Sequence, residues 1–482
     1  MCISLALEVS YISNTYNSPG GKIMTGAPVS IDHLPNELTS KIFSLSCQPP
    51  KFGEKPDDYF CPHMLGAVCR SWREVAWDLP KLWSYIGLVI SLDSWEIQLD
   101  LVDEWLARSK KTPLCISVHC TEEYKSAIVD EGDNSEDLGL WDIFERVVSE
   151  STRIEALDVV LMDENCAEML HEAAEKHLLG SLRRLSLVVH SRQYSSVKVT
   201  MLVHLSSLTH FFFFSRGNGS YQLPYLLSNI QLTAVRLDSV EFGAGIKFLK
   251  GAPNLRSCYF LHMGSEYEGM WGEPFNFLHL ETLVASVSIL RGIFNRFKAV
   301  PKLRHLVMDG GGSHQLSVLK QFFEKHKFKL ETLHLAMDRT MKVEDLRGVL
   351  QHQTSLTKLT IHKHDFDRKF VSFHDGLHKC LAAANDAETL LPNLQEYEYY
   401  INRDVPMASV AEMLRTRWQS LRDAGQLDPS LPRPFLSARL QSDSREEVTR
   451  LLSTEIAQGL RVSFDLYCEG LGECNLDPTI EP

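Results

Sequence analysis

No stretch of this 482-residue sequence approaches the ~20 unbroken apolar residues that span a bilayer, so no membrane-spanning role is expected. Positive charge is also scarce, with 49 Lys and Arg against 62 Asp and Glu, a formal net charge of -13. Holding nucleic acid by neutralising its phosphates needs clustered Lys and Arg, so nucleic acid is not an expected partner. Paired cysteine spacings are missing as well. The 11 cysteines are scattered from Cys2 to Cys474, an odd and dilute set that suits reduced thiols and a cytoplasmic or nuclear location. Met1 to Val9 carries no Lys or Arg ahead of its apolar residues and is interrupted by Glu8, which makes a poor secretory signal.

Signatures of catalysis are equally sparse. There is no Gly-x-Ser-x-Gly elbow and no His-Glu-x-x-His helix, and Gly310-Gly311-Gly312 lacks the Lys-Ser or Lys-Thr pair of a phosphate-binding loop. The best metal look-alike is His362-Lys363-His364-Asp365-Phe366-Asp367 followed by His374 and His378. Imidazoles and carboxylates suit zinc or iron, and His374 and His378 fall on one helical face, but the spacing matches no closed metal signature. The sequence therefore predicts no catalytic residue, no metal, no cofactor and no enzymatic activity.

What is present is self-similarity. A Leu-x-x-Leu-x-Leu pattern recurs at Ile154/Leu157/Val159, Leu182/Leu185/Leu187, Leu208/Phe211/Phe213, Leu232/Val235/Leu237 and Leu255/Cys258/Phe260. It continues at Leu280/Leu283/Ala285, Leu303/Leu306/Met308, Leu330/Leu333/Leu335, Leu356/Leu359/Ile361 and Leu394/Tyr397/Tyr399. Steps of about 23 to 28 residues, with one of about 38, match the leucine-rich-repeat period. The last two members of each triplet point to one face of a strand. Segments such as Cys166, Met169, Leu170, Ala173 and Ala174, or Val318, Leu319, Phe322 and Phe323, have helical spacing and can pack behind the sheet. The Asn or Cys expected three residues after the final Leu is absent, with His190, Val240, Met263 and Asp338 in its place, so irregular turns are expected. An ordinary α/β protein with Leu-rich strands is the alternative.

Upstream lie Leu34-Pro35-Asn36-Glu37-Leu38, Ile42-Phe43, Val68-Cys69-Arg70-Ser71-Trp72-Arg73 and Leu82-Trp83, in that order within about 55 residues. This segment resembles the F-box family. Pro35 suits a first helical turn, and Glu37 lies where the helix dipole favours a carboxylate. Leu38, Ile42 and Leu45 share one helical face, and Leu65, Val68, Cys69 and Trp72 are expected to form a stripe on the next helix. So small a unit cannot bury all of these groups internally. The resemblance implies a Skp-family adaptor as partner, and through it a cullin. It also implies that Leu34, Pro35, Leu38, Ile42, Phe43, Val68, Cys69, Trp72, Leu82 and Trp83 form the interface or its supporting core. The loop between Ser46 and Pro62 is longer than usual for the family and is similar to insertions in F-box-like proteins of mushroom-forming fungi.

The expected fold class is α/β, a small N-terminal helical F-box followed by an irregular leucine-rich-repeat-like solenoid with a parallel sheet. Residues 1–29 read as a flexible leader, 30–88 as the F-box domain, 89–150 as a connecting region with an acidic loop at Asp130 to Asp137, and 151–482 as the solenoid with its C-terminal cap. Leu92 to Arg108 has helical spacing, and Leu114 to Val118 reads as a strand. The cap is expected as a helix over Arg445 to Ile456 and a strand through Leu460, Val462 and Phe464. Strand alternation sends Ser186, Phe212, Arg236, Tyr259, Val284, Val307 and His334 to the sheet's other face as an exposed row about 4.8 Å per step. Phe212, Arg236 and Tyr259 are the candidate contacts for an unidentified protein substrate, unless a loop or the C-terminal tail covers them. The expected function is substrate recognition for a Skp-cullin-F-box ubiquitin ligase, with a repeat-based scaffold or sensor without ligase activity as the alternative.

Overall fold

The structure, a computed structural model, describes residues 34–47, 62–91, 93–131, 140–161, 164–189, 199–215, 223, 231–261, 274–309, 313–326, 328–337, 340–363, 371–382, 390–401, 407–423, 437–441 and 445–465. The leader, most of the long loop after Ser46, most of the acidic loop and Gly310-Gly311-Gly312 lie outside them, as do His190, Met263, Asp338 and His364. Two compact units divide the chain, Met1–Ser186 and Leu187–Pro482.

The first unit opens with helices Asn36–Ser46, Pro62–Val68 and Arg70–Asp78 and a 3-10 turn at Pro80–Trp83. Strands β1 (Tyr85–Ile90), β2 (Leu114–Cys120) and β3 (Ile154–Leu161) then pair in parallel and in chain order. Helix Trp95–Ser109 lies between β1 and β2, and helices Glu122–Glu131 and Leu140–Ser149 lie between β2 and β3. Alternation of strand and helix therefore begins at the end of the stretch read as the F-box domain and runs through the one read as connecting. Its signal is a disguised triplet: Trp83, Ile86 and Leu88 keep the repeat spacing with Trp in the first position, and all three are buried. Strand β4 (Arg184–Val189) carries the division between the units.

In the second unit the strands are β5 (His210–Ser215), β6 (Ala234–Asp238), β7 (Ser257–Leu261), β8 (Phe275–Asn276), β9 (Thr282–Ser286) and β10 (Phe297–Ala299). They continue with β11 (His305–Asp309), β12 (Thr332–Met337), β13 (Lys358–Lys363), β14 (Glu396–Ile401), β15 (Ser437–Gln441) and β16 (Arg461–Asp465). Strands β8 and β10 pair only with each other, and the remaining ten follow chain order in one parallel sheet. Parallel neighbours need a crossover, and the helices supply it, as in Phe242–Lys250 between β6 and β7 and Ser313–His326 between β11 and β12. This is the expected α/β class, with the strand and helix units of a leucine-rich-repeat-like array.

Every residue of the ten triplets is 3 % exposed or less, so the periodic apolar positions are the core. Truncating one of these leucines to Ala removes packing on the order of 2–5 kcal/mol. The turns ahead of the strands are regular. Leu208, Leu255, Leu303, Leu356 and Leu394 each donate a backbone N–H to the carbonyl three residues earlier at 3.1–3.3 Å. The carbonyls of Thr209, Thr233, Arg256, Glu281, Arg304, Glu331, Thr357 and Gln395 then accept from the main chain entering the next strand at 2.7–2.9 Å. Main-chain bonds thus satisfy these turns. At the strand's other end, Val240 is buried beside Ser239, whose φ of 56° is left-handed. The predicted terminal helix is broken at Leu452 into Arg445–Leu451 and Ser453–Ala457, and β16 closes the sheet against β15.

Candidate functional site

In the N-terminal motif, Pro35 sits one position ahead of the first helical turn, and its carbonyl accepts the Leu38 and Thr39 amides at 3.0 and 3.1 Å. Glu37 lies in the first turn as expected. The stripe expected through Leu65, Val68, Cys69 and Trp72 is not on one helix. Cys69 is extended, with φ -158° and ψ 172°, and its Sγ accepts the Trp72 amide at 3.4 Å, so the sulfur caps a new helix at Arg70. On the preceding helix Leu65 is buried and Val68 faces outward.

The ten residues implied by the family resemblance now separate by environment. Phe43, Leu82 and Trp83 are buried, with Phe43 edge-on to the half-buried Trp72 at 5.0 Å and Trp83 Nε1 donating to the Ala76 carbonyl at 2.9 Å. Leu34 and Cys69 are half-buried and Pro35 is exposed. Leu38, Ile42 and Val68 face outward, joined by Leu45 and by Met64, which the sequence reading did not single out. Their exposures of 50 %, 42 %, 60 %, 61 % and 48 % are large for apolar side chains. Leu38, Ile42 and Leu45 follow the four-and-three spacing of one helical face, and Met64 and Val68 repeat the four-residue step on the next.

Beneath that surface is an aromatic core. His63 contacts Trp77, Trp83 and Trp105, and Arg108 lies over Trp77 and Trp83 at 4.6 and 4.9 Å. Trp105 Nε1 donates to His63 Nε2 at 2.9 Å, which requires a bare ring nitrogen and therefore the neutral tautomer protonated at Nδ1. Burial lowers the His63 pKa, Glu104 opposing and Arg108 reinforcing the shift. Gly66 belongs here because a Cβ would sit 2.0 Å from the Trp77 ring. Helix propensity alone favours Ala over Gly by about 1 kcal/mol, but overpacking costs about 1–3 kcal/mol. Gly66→Ala is therefore expected to lower the melting temperature; a raised one would refute this packing.

The second unit's sheet presents two faces. Phe211 meets Phe248 of a crossover helix at 5.6 Å, so the triplet residues face the helices and Phe212 faces away. Strand register then aligns Phe212, Arg236, Tyr259, Val284, Val307 and His334 in one row, which continues through Thr360, Glu398, Arg439 and Ser463. Ser186 lies in the first unit. The row is not uniformly exposed. Val284 and Val307 are buried with Leu261 and Ala336 in a separate apolar cluster, against which Tyr259 packs. Phe212, Arg236 and Tyr259 are half-buried, and beyond the closed stretch at Val284 and Val307 the row opens again at the half-buried His334 and Glu398 and the exposed Arg439 and Ser463. Farther along, Glu398 accepts from Thr360 at 2.8 Å and from Lys358 at 2.9 Å, with Arg439 at 3.5 Å.

The histidine cluster divides between those faces. His374 and His378 pack with ring centroids 4.5 Å apart, but their nitrogens are engaged. His378 Nδ1 donates to the His374 carbonyl, the Tyr397 hydroxyl donates to His378 Nε2, and His374 Nδ1 bonds the Tyr399 hydroxyl. His362 alternates with Ile361 and falls on the opposite face. Among the described residues no group of three metal-ligating side chains assembles. In the first unit Ser117 and His119 both approach Asp158 Oδ2, at 3.4 and 3.1 Å. The serine hydroxyl is directed at the carboxylate, not at the imidazole that would have to take its proton. Among the described residues no disulfide forms and no helix is long and apolar enough to cross a membrane.

Neither a family model nor a curated protein matches this chain.

Proposed function

We propose that the chain is the substrate-recognition adaptor of a Skp-cullin-F-box ubiquitin ligase, docking through its N-terminal helices and recruiting a target through the sheet of its second unit. The observation that carries this reading is the outward set of Leu38, Ile42 and Leu45 on one helix and Met64 and Val68 on the next, in a motif whose Phe43, Leu65, Leu82 and Trp83 are buried. Apolar side chains at helical spacing on successive helices suit a partner's groove, and covering them releases free energy at about 25 cal/mol per Å² of apolar surface. The order of Leu34-Pro35, Ile42-Phe43, Val68-Cys69, Trp72 and Leu82-Trp83, which resembles the F-box family, makes a Skp-family adaptor that partner. Rate enhancement comes from holding a target close to a conjugating enzyme, with the chain supplying proximity and orientation.

Mixing the purified chain with a purified Skp-family adaptor tests this. A stoichiometric complex on gel filtration is expected. Absence of a complex rejects the ligase reading and leaves the repeat array as a scaffold.

A further inference from the structure

We propose that Phe212, Arg236 and Tyr259 form a spot that takes the carboxylate side chain of an acidic segment in a protein target, with Arg236 as its anchor. The inference rests on reading this sheet face as the recognition surface. Register places Arg236 directly between Phe212 and Tyr259, one strand spacing, about 4.8 Å, from each. All three are half-buried, and the row closes beyond Tyr259 at the buried Val284 and Val307. The spot is therefore narrow, bounded by aromatic rings and centred on a guanidinium.

Charge complementarity selects the occupant. Three half-buried arginines elsewhere pair with carboxylates, Arg153 with Glu150, Arg108 with Glu104 and Arg415 with Glu455, while the buried Arg417 donates to main-chain carbonyls. Among the described residues Arg236 has no such carboxylate partner. A guanidinium offers five donors in a planar fork that a carboxylate accepts in bidentate fashion, and limited water access strengthens the bond. The flanking rings suit the aliphatic stem of Glu or Asp and its apolar neighbours, contacts that a small free anion cannot make.

The test uses the full chain and two fluorescent six-residue probes, polyglutamate and polyglutamine, followed by anisotropy. Polyglutamate is expected to bind about tenfold more tightly, and Arg236→Gln to erase the preference. Phe212→Ser and Tyr259→Ser are expected to weaken polyglutamate binding, with circular dichroism verifying the fold of each variant. Equal affinity for both probes, or a preference that survives Arg236→Gln, overturns the proposal. Displacement of polyglutamate by equimolar inorganic phosphate overturns it too, because the spot would then be a small-anion site. Adaptor binding measured in parallel separates the two readings: glutamate preference without adaptor binding removes the ligase assignment and keeps the spot.

Discussion

Replacing Leu38 and Ile42 together with Asp is expected to weaken Skp-adaptor binding at least about 100-fold while leaving the melting temperature nearly unchanged. Both side chains point outward from helix Asn36–Ser46, so the free protein loses little packing when they change. In a complex the carboxylates would be buried without partners, at a cost of several kcal/mol that exceeds the 2.7 kcal/mol equivalent to a factor of about 100. Trp83→Ala should behave in the opposite way. That indole is fully buried and bonded to the Ala76 carbonyl, so its loss costs about 3–5 kcal/mol of fold stability before docking is considered. Calorimetry on both variants, paired with adaptor titration, distinguishes a docking surface from a core that only resembles one. Equal affinity for the Asp variant and the unaltered chain would remove the outward stripe from the interface.

The second large effect is acid sensitivity of the second unit. His378 is fully buried, donating to the His374 carbonyl and accepting from Tyr397, and burial holds its pKa down at about 3. The neighbouring His374 pushes it in the same direction, and the hydrogen bond to the His374 backbone opposes the shift. The folded-state value lies below the ordinary 6.5, so the unfolded chain binds the proton more readily. Stability from this group is therefore complete above about pH 6.5 and falls by about 1.4 kcal/mol per pH unit as the pH drops toward 3. Between pH 6.5 and 4.5 the loss is on the order of 2 kcal/mol. Urea unfolding across that window should give a shallower slope for His378→Gln than for the unaltered chain. Coincident slopes would mean that His378 is not held neutral in the fold.

Much of this was legible in the residues. The triplets located their strands because Leu at fixed spacing has one physical outlet, a buried face shared with its neighbours. The His374 and His378 pairing was also readable, since four residues make one helical turn. Alternation within Leu359-Thr360-Ile361-His362 already sends His362 away from the helices. Three features were not legible. Trp83 hid the first repeat by standing where Leu is usual. Cys69 reads as an apolar stripe residue by its spacing, whereas its sulfur caps a helix and splits the motif. The burial of Val284 and Val307 depends on tertiary packing, so strand alternation could place them on the outer face but could not say that this part of the face is closed.

Hydrogen exchange on the full chain, alone and mixed with a Skp-family adaptor, tests the central claim most directly. Protection confined to peptides covering Asn36–Ser46 and Pro62–Val68, with the strands of the second unit unchanged, is the predicted result. Protection that falls instead on β5 to β7, or no change anywhere, would contradict the assignment of the N-terminal helices as the docking surface.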